Sequence, residues 1–529
     1  MLLFIPFLGQ SHLFDWDEIN FAEAAREMIV TGDYLRVQIN FQMFWEKPPF
    51  FIWLQVLSMK VFGINEFAAR FPNALLGVIS ANLLLFLGRK LKDQFFGLIW
   101  ASCYLCSTLP LLYFKSGIID PWFNTFIFFG IILYYLGLNR NRILYPLLSG
   151  ISIGLAVLTK GPVAILIYGL VIAIYHLINW KRECINIKHA VIIALSTITI
   201  PGLWFLYDYI NNGSDYIVDF ILYQIDLFRQ PVAGHQQPFY YHFLVILIGC
   251  FPMSAFIFNC IKTKQLSQLE HGKLLQLSWI TFLTVLILFT IVETKIVHYS
   301  SLCYLPLSYI ISHYLYHQLK QGVHHRFNWN YFLIIGCILS FTLIGLVYFM
   351  ASPEIWDDYI SDEWARLKMK DNPNWYYWEL LFGLILLLST ILAYLYSKIN
   401  NKKAFFIAFY SNAIIIALTI FQFAPKIEIM SQGTYIDLLQ SVNQNDNYIQ
   451  VLGAKSYAQY FYTKKAPSAD QIELLPAKER KHHLLTKPIN KDVYFICPSK
   501  KAAHFQSNFH LEIFEQANAW TVLKRAKTN

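Results

Sequence analysis

The stretch from Asn330 to Met350, NYFLIIGCILSFTLIGLVYFM, contains no charged side chain. Roughly 20 mostly apolar residues in a helix cross the ~30 Å hydrocarbon core of a bilayer, so this run predicts a membrane span. Similar runs lie on either side of it. Upstream they fall at 70–88, 95–113, 118–137, 143–158, 161–179, 189–208, 241–260, 274–292 and 299–316; downstream they fall at 377–397 and 404–423. Twelve spans are expected in all. Leu2–Leu8 is apolar but too short to cross, and it has no basic flank that would make it a signal peptide. It reads as the tail of a first helix, an incomplete thirteenth span.

Composition agrees with a lipid solvent. Of 529 residues, 56% are hydrophobic and only 14% charged, against about a quarter charged in soluble domains. The net charge of +9 is spread thinly and forms no basic block, which excludes a nucleic-acid-binding protein. The eight cysteines stand singly. Cys103 and Cys106 form a CxxC inside an apolar run, with no second pair and no nearby histidine, and read as small core residues.

Basic residues fix the orientation. Alternate loops hold Arg89, Lys90 and Lys92; Arg140 and Arg142; Lys181, Arg182 and Lys188; Lys262, Lys264 and Lys273; Lys320 and Arg326; Lys398, Lys402 and Lys403. The positive-inside rule makes these cytoplasmic. The outer set is then 10–69, 114–117, 159–160, 209–240, 293–298, 351–375 and the tail from 424. Within 10–69, helical spacing in 18–31, stopped by Gly32, and the apolar stretch 50–63 predict two interfacial helices. The acidic, Trp-rich 351–375 reads as a loop. Apolar runs of strand length at Tyr448–Leu452, Val493–Cys497 and Trp520–Leu523 predict a small α/β domain. The expected organisation is a polytopic α-helical domain over 1–423 and an extracytoplasmic α/β domain over 424–529.

The outer segments collect the polar residues. They comprise Asp15, Asp17 and Glu18; Glu46-Lys47-Pro48-Pro49; Asp120-Pro121; Thr159-Lys160-Gly161-Pro162; His235; and Thr294-Lys295 with His298-Tyr299. Charge near hydrocarbon is costly, about 2.5–3.5 kcal/mol at a helix centre, so polar residues at a membrane face point to function. Each also has a plainer reading. Asp17 and Asp120 would cap helices, Glu46 and Lys47 would form a surface pair, Lys160 and Lys295 would snorkel, and His235 would be an ordinary loop histidine. Six such segments on one face is a pattern that membrane crossing alone does not require.

The string Asp17-Glu18-Ile19-Asn20-Phe21-Ala22-Glu23-Ala24-Ala25-Arg26-Glu27-Met28, with Gly32-Asp33-Tyr34 and Glu46-Lys47-Pro48-Pro49, resembles the GT-C type membrane glycosyltransferases. That group includes the aminoarabinose lipid A transferases and the dolichyl-phosphate-mannose protein mannosyltransferases. Phe67-Ala68-Ala69-Arg70, Asp120-Pro121, Leu158-Thr159-Lys160-Gly161-Pro162 and Thr294-Lys295-Ile296-Val297-His298-Tyr299 extend the resemblance, which covers roughly 14–310.

The resemblance implies a GT-C fold of about 12–13 transmembrane helices in a bacterial inner membrane, with the active site periplasmic. The implied reaction moves a sugar, with inversion, from a polyisoprenyl-phosphate carrier to a lipid A, glycan or protein acceptor. It implies Asp17 as base, Asp120 as a second catalytic aspartate, and Lys47 near the donor phosphate. It also implies a divalent metal, zinc or magnesium, between Glu46 and His235. The chemistry asks for such residues independently: a carboxylate to take the acceptor's proton, and cations where the leaving phosphate gains charge. Lys160, Lys295, Tyr299 and Arg70, with Arg229, complete the expected phosphate set. A transporter or flippase is the rival; it would place ionisable groups mid-span in two related halves. A non-catalytic relative that binds carrier lipid is a third reading.

Overall fold

The structure is a computed structural model and describes all residues except 16, 139–141, 182–184, 230–236, 263–271, 322–327, 372, 445 and 529. Each of the twelve apolar runs is helical. By length and composition, seven helices among the described residues can cross a membrane: Glu66–Leu91, Asp120–Leu138, Ile187–Asn212, Gly272–Ile291, Asn330–Met350, Tyr377–Ser397 and Asn401–Ser441. The pair Tyr241–Gly249 and Met253–Ile261 is bent by 107°, a broken span or a re-entrant loop, and brings the number to at most eight. The remaining runs are shorter or broken. Gln94–Leu105 gives way to Thr108–Tyr113 at Cys106, and Leu144–Lys160 stops at Gly161, whose φ of +101° no helix accepts.

Glycines set how closely the helices pack. A Cβ on Gly88 would lie 2.3 Å from Gly97 Cα, and one on Gly150 would lie 1.9 Å from Ser196 Oγ. These close approaches join Glu66–Leu91 to Gln94–Leu105, and Leu144–Lys160 to Ile187–Asn212, as small residues do where hydrocarbon supplies no hydrophobic drive. The outer faces stay apolar and bare: Leu195, Ile198, Leu203 and Leu388 are more than 60% exposed, as lipid-facing side chains should be.

Three expectations change. Leu2–Leu8 forms turns rather than the end of a helix. Pro6 lacks an N–H, Phe7 sits at φ 65°, and Lys115 Nζ takes up the carbonyls of Leu3, Phe4 and Pro6 (3.3, 3.3 and 2.8 Å). The segment 351–375 contains two short helices, Pro353–Tyr359 and Glu363–Lys370; Asp362 caps the second through the N–H groups of Trp364 and Ala365. Within 209–240 lies an amphipathic helix, Asp215–Arg229.

The first outer loop folds as two helices, Asp17–Thr31 and Phe50–Phe62, around a hairpin of β1 (Gln38–Ile39) and β2 (Gln42–Met43). The hairpin turns at Asn40 and Phe41, both left-handed (φ 59° and 58°), the conformation a tight two-residue turn requires. Buried Glu27 holds that turn by accepting the N–H groups of Asn40 (2.5 Å) and Phe41 (2.8 Å). Its neighbour Glu23 takes both arms of the Arg26 guanidinium at 2.7 Å.

The C-terminal region carries a four-stranded sheet of β3 (Asn447–Val451), β4 (Asp492–Pro498), β5 (Glu512–Gln516) and β6 (Trp520–Arg525), ordered β3-β4-β6-β5. β3 pairs parallel to β4, and the other pairs are antiparallel. One face packs Phe495 and Leu523 against the helices Ala477–Thr486 and Ser499–Phe509. The other packs Tyr494, Ile496 and Val522 into a core shared with Leu13, Ile19, Phe21, Ala25 and Phe51 of the first loop. No helix ends at residue 424, because the last spanning helix continues from Asn401 to Ser441. The sheet region and the first loop are therefore built on one hydrophobic core.

Candidate active site

Helix direction brings the polar residues together. Asp120 is the first residue of Asp120–Leu138, and Lys160 is the last of Leu144–Lys160. The two helices pack as antiparallel neighbours, so the end of one meets the start of the other, at the opposite end from Arg142. Here Lys160 Nζ donates to Asp120 Oδ1 at 2.6 Å, with the carboxylate almost wholly buried. The ammonium also stands over the rings of Tyr299 (5.1 Å) and Phe123 (5.6 Å).

A cavity of about 480 Å³ opens at this corner. The first loop supplies Asp17, Asn20, Glu46 and Lys47, and the Asp120 helix supplies Asp120, Phe123 and Asn124. Lys160, together with Thr294, Ile296, His298 and Tyr299 from a third segment, forms another wall. Tyr223 and Gln224 of the amphipathic helix, and Lys455 of the C-terminal region, complete the lining. Asp17 and Asp120, 103 residues apart in the chain numbering, thus face one space.

Asp17 starts its helix with its side chain 40% exposed, and His298 Nε2 lies 3.6 Å from Asp17 Oδ2. Burial pushes the His298 imidazole below its ordinary range, despite the neighbouring Asp120. The ring is therefore neutral near pH 7 and stands beside Asp17 without pairing with it as a cation. Burial likewise holds the Lys47 ammonium below the usual lysine range. Lys47 Nζ stands 5.4 Å from the centre of the Tyr223 ring, and Tyr223 Oη donates to Glu46 Oε2 at 3.3 Å.

Among the described residues, three buried polar atoms of the lining have no hydrogen-bond partner: Asn20 Oδ1, Asp120 Oδ2 and Gln224 Nε2. Buried polar groups are nearly always paired in proteins, so these three leave hydrogen-bonding capacity in the cavity wall.

Two expected phosphate ligands lie elsewhere. Arg70 is 4% exposed and turned away from the cavity. Its guanidinium grips both oxygens of Glu18 (3.0 and 2.8 Å) and the carbonyls of Leu8, Ser11 and His12 (2.7, 2.9 and 2.8 Å). Burial alone would raise Glu18, but Arg70 outweighs it and holds that carboxyl below its usual range. Lys295 is buried between two lining residues and is not part of the lining itself. The Arg229 side chain and His235 lie outside the described residues. Among the described residues no group of three or more His, Cys, Asp or Glu could hold a metal ion. Glu46 Oε2 accepts from Tyr223, and the residue expected to share a metal with it, His235, is among those not described.

Tyr223, Gln224 and Lys455 have no counterpart in the expected set. The first two were legible in principle, since Ile217, Phe220 and Ile221 recur at helical spacing within 209–240. Lys455 follows Gly453 in a polar loop and gives no such signal.

Comparison with known proteins bears on the same residues. Residues 46–205, which include Lys47, Asp120 and Lys160, match the family model described as dolichyl-phosphate-mannose-protein mannosyltransferase. An undecaprenyl phosphate-alpha-4-amino-4-deoxy-L-arabinose arabinosyl transferase of Wigglesworthia glossinidia brevipalpis is 28% identical over 325 residues, covering 59% of this chain and 56% of the relative. Its counterpart in Aeromonas salmonicida is 25% identical, covering 63% and 61%. The match therefore spans less than two thirds of these arabinosyl transferases. A protein of Aquifex aeolicus is 27% identical, covering 64% of this chain and 68% of its own length. The crystal structure of ArnT from Cupriavidus metallidurans bound to undecaprenyl phosphate superposes over 99% of this chain and 96% of that one, with a TM-score of 0.77 at 15% identity. The protein has the fold of the GT-C type membrane glycosyltransferases and resembles in sequence the aminoarabinose transferases and the dolichyl-phosphate-mannose protein mannosyltransferases.

Proposed function

We propose that the protein is an inverting glycosyltransferase of a bacterial inner membrane, moving a sugar from a polyisoprenyl-phosphate carrier to a lipid A, glycan or protein acceptor on the periplasmic side. The observation that carries this reading is the convergence of Asp17, Lys47, Asp120, Lys160 and Tyr299 on one cavity. The matches to arabinosyl transferases that use undecaprenyl phosphate sugars support the donor class. The basic loops at the opposite helix ends support the periplasmic side.

In the proposed reaction Asp17, open to the cavity and oriented by His298, takes the proton of the acceptor's hydroxyl or amine. The freed lone pair bonds to the anomeric carbon from the face opposite the phosphate. The carbon–oxygen bond to phosphate breaks, and its electron pair leaves with the lipid phosphate. Lys47 and Lys160 meet the charge that develops there. Asp120 fixes Lys160, and Tyr299 packs beneath its ammonium.

The ionisable residues of the cavity sit at helix ends rather than mid-span, which argues against a transporter. Mass spectrometry of envelope glycolipids and glycoproteins, with and without the gene, tests the reading. Loss of one sugar mass from one class supports it and names donor and acceptor. An unchanged envelope profile, together with no transfer by the wild type in a membrane assay, rejects it; full transfer by Asp17→Asn rejects Asp17 as the base.

A further inference from the structure

The orphaned atoms divide by chemistry. Asn20 Oδ1 is an acceptor without a donor, and Gln224 Nε2 is a donor without an acceptor. Asn20 is 5% exposed and lies one helical turn beyond Asp17 on the same helix. Gln224 comes from the amphipathic helix, which is anchored by Phe220 (2% exposed). Its side-chain Oε1 would lie 3.5 Å from a Cβ on Gly161, the residue that follows Lys160. One amide therefore stands beside Asp17 and the other beside the Lys160 corner, both in the wall of one cavity. Neither is charged, and lysines are already present for the lipid phosphate. Neutral amides suit neutral polar groups: a carboxamide oxygen accepts a hydroxyl or amine hydrogen, and a carboxamide nitrogen donates to a hydroxyl or ring oxygen.

Resting on the glycosyltransferase reading, we propose that Asn20 and Gln224 form the subsite for the transferred sugar ring: Asn20 accepts a hydrogen bond from a ring hydroxyl or amino group, and Gln224 donates one to a ring oxygen. They are the specificity-determining residues of the donor. The Asp17 carboxylate and the leaving phosphate bracket the anomeric carbon, and the two amides read the rest of the ring. A site that pairs its buried polar atoms with a ligand rejects the analogue lacking the matching group, because the atoms are then left unpaired.

The test measures binding of two probes to the purified full chain in lipid nanodiscs: undecaprenyl phosphate without sugar, and a panel of undecaprenyl-phosphate pentoses, hexoses and amino sugars. The wild type should bind at least one sugar-bearing carrier more tightly than the bare one. Asn20→Leu and, separately, Gln224→Leu should each weaken that carrier about three- to tenfold and leave the bare carrier unchanged. Asn20→Asp, which keeps the acceptor, should retain part of the preference. Equal weakening of both probes, no weakening of either, or a wild type without preference would overturn the subsite. A wild type that binds no carrier at all would reject the glycosyltransferase reading itself, and the subsite with it.

Discussion

Lys160 Nζ lies 2.6 Å from Asp120 Oδ1, while Asp120 Oδ2, buried in the same carboxylate, has no hydrogen-bond partner among the described residues. Half of this ion pair is thus satisfied by the protein, and the other half faces the cavity. Removing the lysine leaves an uncompensated charge at a side chain only 2% exposed, which costs about 3–5 kcal/mol. Lys160→Ala should therefore lower the thermal midpoint in detergent sharply and abolish transfer. The double variant Lys160→Ala/Asp120→Asn should recover much of the midpoint and none of the activity. Recovery of both would show that the pair serves the fold alone.

His298 provides a separate test of the base. Its ring is 3.6 Å from Asp17, and burial keeps it neutral below the usual histidine range. The pH–rate profile should therefore stay flat as pH falls through the ordinary histidine range near about 6.5, and drop only at more acidic values. His298→Gln should reduce kcat about tenfold while leaving undecaprenyl phosphate affinity unchanged. A matching loss of affinity would place His298 on the phosphate instead.

Glu27 links stability to pH. Burial, reinforced by the neighbouring Glu23, raises its carboxyl from 4.5 to about 8. The folded state then holds a proton that the unfolded chain has released, so stability falls as pH rises between those values. The contribution is complete below about 4.5 and gone above about 8. The thermal midpoint should decline from pH 5 to pH 8, and Glu27→Gln should flatten that slope. The variant's midpoint should also be lower throughout, because an amide nitrogen cannot accept the Phe41 N–H that Glu27 Oε2 now takes. A slope unchanged by the substitution would place the titrating group elsewhere.

Local signals were the legible ones. Apolar runs located every helix of the bundle because hydrocarbon demands them, and basic loops assigned the ends because sidedness is written in short segments. Asp17, Lys47, Asp120, Lys160 and Tyr299 could be placed on one face from those two facts. Contacts across the chain were not legible. Nothing in the sequence pairs Phe21 with Val522 in one core, or brings Lys455 to the cavity that Asp17 lines. β5 leaves no signal in the sequence because Glu512-Ile513-Phe514-Glu515-Gln516 is an exposed edge strand with no buried face to impose alternation. The surroundings of Arg70 are hidden for a related reason. A short string does not say which way a side chain turns, and in Phe67-Ala68-Ala69-Arg70 the arginine turns inward.

Arg70 therefore separates a structural cation from a substrate-binding one. Its guanidinium joins Glu18, at the start of the first-loop helix, to the carbonyls of Leu8, Ser11 and His12. Glu18 in turn accepts the N–H groups of Phe14 and Gly117. The fork thus fixes the segment that carries Asp17 against the loop that precedes Asp120. Lysine cannot make these contacts, since it offers a point charge in place of a planar fork. Arg70→Lys should destabilise nearly as much as Arg70→Gln, each by about 3–5 kcal/mol, measured by thermal unfolding in detergent. At a temperature where the variants remain folded, undecaprenyl phosphate should bind with wild-type affinity and kcat should fall as Asp17 loses its placement. If instead Arg70→Lys preserves stability and Arg70→Gln loses carrier affinity, the guanidinium contacts the phosphate and the clamp described here is wrong.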